Sequence, residues 1–295
     1  MSTVTTVGDL ADRVLRAVNG SRRQLVNWLS GAVDPSTTTF TFTDPIEGIA
    51  PGTYLGVGEE IVYVRSTNEA ARTAVVRRGM HNTTAAAHAD DAEVQVDWRW
   101  FTADVVDAIA DEIRSWGDDI FRVSEVDVPV SSSATAVNVA LTGFRFPLRL
   151  RRTVPGKDRW VDVTARYEVQ TNLPTSEFPD GAALFLPSTA LGPGTVRLEY
   201  AADFATDSIG LSTTLDAIGL SSTLVDAALY GAAARLLIDR EAQRSAVESQ
   251  PEPRQAEEVR AGHAIQTGAA YRQLADRRLA EEAMRLRARY PIRMT

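Results

Sequence analysis

The sequence predicts an α+β protein, with helical elements at both ends, a small inserted β-barrel and an antiparallel β-sandwich-like domain between them. Three observations predict it. Apolar residues recur at helical spacing near the N-terminus and again after residue 220, and two central stretches alternate apolar and polar residues between Gly, Pro, Asn and Asp punctuation. At 295 residues the chain is long enough for several modules, each with its own core. The boundaries this gives are 1–35 for N-terminal helices, 36–98 for the barrel module, 99–118 for a connecting helix, 119–205 for the antiparallel β-domain and 206–295 for C-terminal helices with a tail.

Leu10, Val14 and Val18 share one face of a first helix, which Asn19-Gly20 ends. Ser21 followed by Gln24 has capping-box spacing, and Leu25, Trp28 and Leu29 then predict a second apolar stripe with Trp28 in the core. Between 36 and 97 the period changes to two. Thr38–Phe42, Tyr54–Val57, Glu60–Arg65, Ala74–Arg77 and Glu93–Val96 read as five short strands of a rolled sheet. Thr102–Trp116 reads as a single helix with Thr102 as N-cap, Val105, Ile109, Ile113 and Trp116 inward, and Asp104, Asp107, Asp111 and Glu112 outward.

Six strands are expected after it, at Val123–Val130, Ala136–Leu141, Phe146–Thr153, Arg159–Val169, Ala182–Leu186 and Thr195–Tyr200, an antiparallel sandwich pattern. Along Arg159–Tyr167, alternation puts Val161, Val163, Ala165 and Tyr167 on the core side. Ile209–Leu215 is nearly repeated as Ile218–Leu224, a duplication too short for a solenoid. The helix near Leu224–Val247 begins apolar on all sides, which predicts burial on all sides, and Pro251 and Pro253 end it. One modest domain is not expected to cover it alone, so Leu229, Ala233, Leu236 and Leu237 are candidates for a subunit interface. A last helix over Ala264–Arg289 carries a seam of Ala264, Gly268, Tyr271, Ala275, Leu279, Ala283, Leu286 and Tyr290, with arginines beside it.

Composition narrows the chemistry. Cysteine is absent, so disulfides, thiolate zinc sites and thiol nucleophiles are excluded. The N-terminus has no basic segment followed by an apolar core, and no stretch is long and uncharged enough to span a bilayer, so a soluble protein with no membrane contact is expected. Lys157 is the single lysine, a bias that fits a GC-rich genome. Net charge is −8, and from Arg235 onward 12 Arg face 9 Asp and Glu, so a tail at +3 follows a body at −11. Such a body does not suit DNA binding, which rests on neutralising phosphates.

No phosphate loop, dinucleotide fingerprint or zinc-protease His pair occurs. Neither Gly-Leu-Ser (Gly210–Ser212, Gly219–Ser221) has the flanking glycines of a nucleophile elbow. His81 and His88, with Asp90 or Asp91, form the most enzyme-like cluster, but packing of a closing barrel loop explains them more simply. Asp118-Asp119 and Glu257-Glu258 read as solvated charge. No enzyme activity, cofactor or metal is expected.

The C-terminal order of Gly194–Tyr200, Leu229–Leu237, Glu248–Pro253 and Arg272 through Tyr290-Pro291 resembles head-to-tail connector proteins in virions of tailed phages that infect high-GC bacteria. The Arg78-Gly…Thr83-Thr-Ala-Ala-Ala-His88 stretch is similar to small β-modules of phage virion proteins. Within that class the resemblance points to the adaptor, the ring beneath the portal, although the extent of β-structure leaves the tier open between adaptor, stopper and tail terminator. It implies a virion protein made in the host cytoplasm and located at the head–tail junction, a homo-oligomeric ring (twelve subunits by analogy), a portal protein on one side and a stopper or tail-terminator protein on the other. DNA would pass through without specific binding. On that reading Asp104, Asp107, Asp111 and Glu112 face the channel, and Arg285, Arg287, Arg289, Tyr290, Ile292 and Arg293 dock on the portal. The alternative is a tail or baseplate module recognising host glycans, with Trp98, Trp100 and Trp160 stacking on sugars.

Overall fold

A computed structural model describes residues 4–19, 25–131, 135–154, 157–163, 167–186, 194–248 and 263–291. They belong to two compact units, Met1–Ser115 with Thr206–Leu279 and Trp116–Ala205 with Ala280–Thr295. The α+β class expected from the sequence is the class observed.

The first unit opens with helix α1, Val7–Asn19, whose Val7, Leu10, Ala11, Val14, Leu15 and Val18 are buried. Its start is fixed reciprocally: the Asp9 backbone N–H donates to the Thr6 hydroxyl, and the Asp9 carboxylate accepts from the backbone N–H groups of Thr5 and Thr6. Those bonds hold the Asp9 carboxyl at about 2.

A six-stranded antiparallel sheet follows, made of β1 (Leu25–Trp28), β2 (Thr39–Thr41), β3 (Tyr54–Val57), β4 (Glu60–Asn68), β5 (Thr73–Met80) and β6 (Glu93–Val96). Their order is β1-β6-β3-β4-β5-β2. The Leu29–Phe42 bridge joins the two outer strands, with Ser30 N–H donating to the Thr41 carbonyl and Thr43 N–H to that of Trp28. The sheet is therefore rolled into a barrel-like shape whose outer strands meet at this bridge. Phe40, Phe42, Leu29, Leu55, Val62, Val64 and Val94 fill it.

Two expectations are corrected here. The segment after Asn19 is not a second helix: Leu25–Trp28 is a barrel strand, and Ser21 and Gln24 lie outside the described residues. Trp28 is not core. It is 40% exposed, and Leu29 is the residue that points inward.

Helix α2, Thr102–Arg114, leaves the barrel. Its N-cap is Phe101, whose N–H donates to the Asp104 carboxylate. Thr102, expected as the cap, instead exchanges two hydrogen bonds with the Gln95 side chain and so ties the helix to β6. Residues 206–220 then strap α1 to the barrel. Gly8 N–H donates to the Leu211 carbonyl, and Leu211 N–H donates to the Glu59 carboxylate. A short helix, α3 (Leu215–Ile218), is capped by Thr214 and ended by Gly219 in the left-handed region.

Helix α4, Ser222–Glu248, is the centre of this unit, and both α1 and α2 pack against it. Helix α5, His263–Arg289, lies beside it. At Gly268 an added Cβ would sit 3.4 Å from the Ala234 carbonyl oxygen, and Tyr230 stacks on Tyr271 at 5.8 Å. No described helix is long and apolar enough to cross a membrane.

The second unit is a two-sheet sandwich. Strands β7 (Arg122–Val130), β9 (Phe144–Val154), β10 (Lys157–Asp162) and β13 (Gly194–Ala202) form one sheet in the order β10-β9-β13-β7. Strands β8 (Ala136–Asn138), β11 (Glu168–Thr171) and β12 (Ala182–Phe185) form the other, ordered β11-β12-β8. Val128, Leu150, Leu184, Val196, Leu198 and Tyr200 make the core between them.

Pro147 is tolerated in β9 because β10 pairs only with residues 151–154, so at Pro147 only β13 is alongside. The strand expected over Arg159–Val169 is instead two strands in different sheets. Val161 is consequently 39% exposed, whereas Val163 and Tyr167 do pack on the core. Ala165 lies outside the described residues.

Candidate functional site

The most specific constellation of side chains lies among α2, α4 and α5 in the first unit. Glu112 is fully buried. Its carboxylate accepts two hydrogen bonds from Arg272, at 2.8 and 2.9 Å, and one from Arg235 Nε at 2.7 Å. Burial alone would raise its pKa, but the two guanidinium groups outweigh burial and hold the carboxyl below its ordinary value. The main chain of α4 makes room for it at Gly231. Glu112 was expected on an outer, channel-facing surface, and that expectation is corrected. Seven residues beyond Val105, it falls on the helix's inward stripe.

Asp107 and Asp111 do stand on the exposed face of α2, and Asp104 is half-buried while it caps the helix. Burial raises the Asp104 pKa. Burial and then the neighbouring Asp111 raise that of Asp107. These three carboxylates rim a cleft of about 560 Å³, with Trp100, Arg235, Arg272, Ile238 and Asp239 among its other walls. Asp111 also pairs with Arg114 at 3.1 Å.

The residues proposed as a subunit interface are placed differently from expectation. Ala233, Leu236 and Leu237 are buried within the single chain, and Leu229 is half-buried. The apolar face of α4 is covered by the chain's own α1, α2 and α5, so its composition does not require a neighbouring subunit.

At the end of α5 the docking set divides. Leu286 and Tyr290 are buried in the second unit, Leu286 against Phe121 and Ala201, Tyr290 with the Arg149 guanidinium over its ring at 5.6 Å. Tyr290 is therefore an internal packing residue and not a free anchor. Arg287 donates to Asp119 at 2.6 Å, which lowers the Asp119 pKa. Arg285 pairs with Glu282 at 3.1 Å and is 61% exposed, and Arg289 is exposed with its guanidinium over Tyr290. Ile292 and Arg293 lie outside the described residues.

The histidine loop organises the barrel. Glu60 is buried and accepts two hydrogen bonds from Arg78, each at 2.7 Å, one contact from His88 Nε2 at 2.8 Å, and the N–H groups of Gly79 and Ala86. Burial opposes ionisation, yet Arg78 and then His88 lead the bonds that hold its carboxyl at about 2. His88 is thus a packing partner of Glu60, as the simpler reading of the loop had it. His81 packs separately against Tyr54, the two rings tilted with centroids 4.7 Å apart. Among the described residues no group of three or more His, Asp or Glu is arranged to hold a metal ion.

The tryptophans offered as sugar platforms are engaged. Trp100 is buried, Trp98 donates its indole N–H to the Leu25 carbonyl, and Arg197 covers Trp160 at 4.8 Å.

No protein-family model matches the sequence, and no curated protein matches it. Among solved structures the chain is similar to a chain described as the neck of an empty GTA particle computed with C6 symmetry, at 13% identity and a TM-score of 0.22, over 58% of this chain and 77% of that one. A superposition of that extent carries no argument about function.

Proposed function

We propose that this chain is a structural virion protein of the head-to-tail connector. It would be an adaptor-type ring component between the portal protein and the stopper or tail-terminator protein, and not an enzyme. The observation that carries the reading is the C-terminal succession β13, α3, α4 and α5. It realises in order the strand, loop, apolar helix and Arg-studded helix on which the resemblance to connector proteins rests. A helix of 27 residues whose last turn carries Arg287 and Arg289 suits a protein that joins others, because arginine pairs carboxylates bidentately.

With Tyr290 and Arg287 engaged inside the chain, portal docking falls to the segment beyond Pro291. The acidic body, at −11 against a tail at +3, supplies the like charge that would keep passing DNA from adhering. In the particle-producing host, inactivating the gene should yield DNA-filled heads and finished tails that fail to join. Normal joining without the protein would refute the connector role.

A further inference from the structure

The apolar face of α4 is used up inside the chain, so a ring needs another contact between copies. The cleft among α2, α4 and α5 offers one. Its floor carries a net charge of only about +1, since Arg235 and Arg272 share the single carboxylate of Glu112. Asp104, Asp107, Asp111 and Asp239 lie around it, so carboxylates outnumber the arginines, even with Arg114 drawn towards Asp111. One wall is apolar: Trp100 and Leu236 line it, and Ile238 is 49% exposed. Acidic charge beside an aromatic and aliphatic wall is the environment that takes a guanidinium with its methylene stem. At about 560 Å³ the space admits one or two long side chains and not a helix, whose diameter is roughly 10–12 Å.

The same chain carries the complementary element. Arg285 and Arg289 project from the last turns of α5, both exposed, and Arg289 has a tyrosine ring and no carboxylate as its described partner. We propose that the cleft receives these two arginines from a second copy of this chain. This rests on the ring reading above and specifies how its subunits join. The contact is heterologous, cleft to helix end, which is the kind that closes into a ring when the rotation allows. Burial raises the pKa of Asp104, and burial and then Asp111 raise that of Asp107, so a cation brought from outside would favour the charged form of both.

The chain contains no cysteine, so introduced thiols react alone. Asp107→Cys and Arg289→Cys are made as separate full-length variants, both at exposed positions, and each is checked to melt like the parent. The two are mixed and treated with a bismaleimide whose spacer matches an Asp–Arg pair. Glu47→Cys, on an exposed barrel loop, replaces Asp107→Cys in the control, and Asp111→Cys provides a second cleft position. Covalent heterodimer from the cleft variants, several-fold above control and reduced by high salt, is the expected result. Heterodimer no more abundant than control for both cleft positions overturns the proposal. So does a cross-link that forms only within one chain carrying both substitutions. Cross-linking in a protein that proves dispensable for head–tail joining would sink the connector reading and leave this contact standing. Absent cross-linking in a protein required for joining would do the reverse.

Discussion

Gly231 of α4 lies flush against the carboxylate of Glu112: a Cβ at 231 would come within 2.3 Å of its Cδ. Contact with a flexible side-chain end is ordinarily cheap to relieve, but this one is pinned by Arg235 and Arg272 in a buried site. Gly231→Ala should therefore displace Glu112 from its arginines and cost about 3 kcal/mol, the range for disrupting a buried ion pair. Urea denaturation of the variant checks this. A loss below about 1 kcal/mol would mean that the pocket yields easily.

Replacing Glu112 by Gln should cost less, on the order of 2 kcal/mol, because Arg235 and Arg272 are each about one-third exposed and can regain water. Combining Gly231→Ala with Glu112→Ala should recover part of the loss from either change alone. A double-mutant cycle tests whether the two positions act as one site, and additive losses would show that they do not.

Acid should weaken the barrel in a defined window. The Glu60 carboxyl sits at about 2 against an ordinary 4.5. Its folded pKa is the lower one, so its contribution is complete above 4.5, shrinks as pH falls below that value, and is gone below about 2. The shift corresponds to roughly 3 kcal/mol. Glu112 acts in the same sense, whereas the raised values of Asp104 and Asp107 oppose it. Stability measured from pH 7 to pH 2 should fall more steeply in the parent than in Glu60→Gln. Parallel curves would contradict the assignment.

Arg78→Lys should also destabilise the barrel, by about 2–4 kcal/mol, since one guanidinium serves Glu60 twice and the carbonyls of Asp34, Thr37 and Ala86 as well. A shift in denaturant midpoint at unchanged slope is the expected signature.

Two truncations separate packing from docking. Deleting residues 285–295 removes Leu286 and Tyr290 from the second unit and should lower its stability together with any assembly function. Deleting residues 292–295 leaves both in place, so the unit should melt as before. Heads and tails that join normally with the shorter deletion would remove the terminal segment from the docking account.

These elements differ in how far the sequence revealed them. Seams of α1 and α5 were legible because burial follows a single period from Val7 to Val18 and from Ala264 to Tyr290. Strand β1 was not. Leu25, Trp28 and Leu29 imitate helical spacing, and a strand of four residues is too short for alternation to show. Glu112 was hidden by its neighbours, since four acids within nine residues look like one solvated face. Its seven-residue offset from Val105 was the available signal, together with Arg235 interrupting an otherwise apolar helix. The coverage of α4 by α1 and α2 joins segments far apart in the chain, which no local pattern encodes.

The connector assignment is tested most directly by a reconstruction of the purified particle in which this chain is traced. The account predicts a closed ring of copies at the head–tail junction, with Arg285 and Arg289 of each subunit in the Asp107–Asp111 cleft of the next. Density for the chain as isolated monomers, or at a site away from that junction, would contradict it.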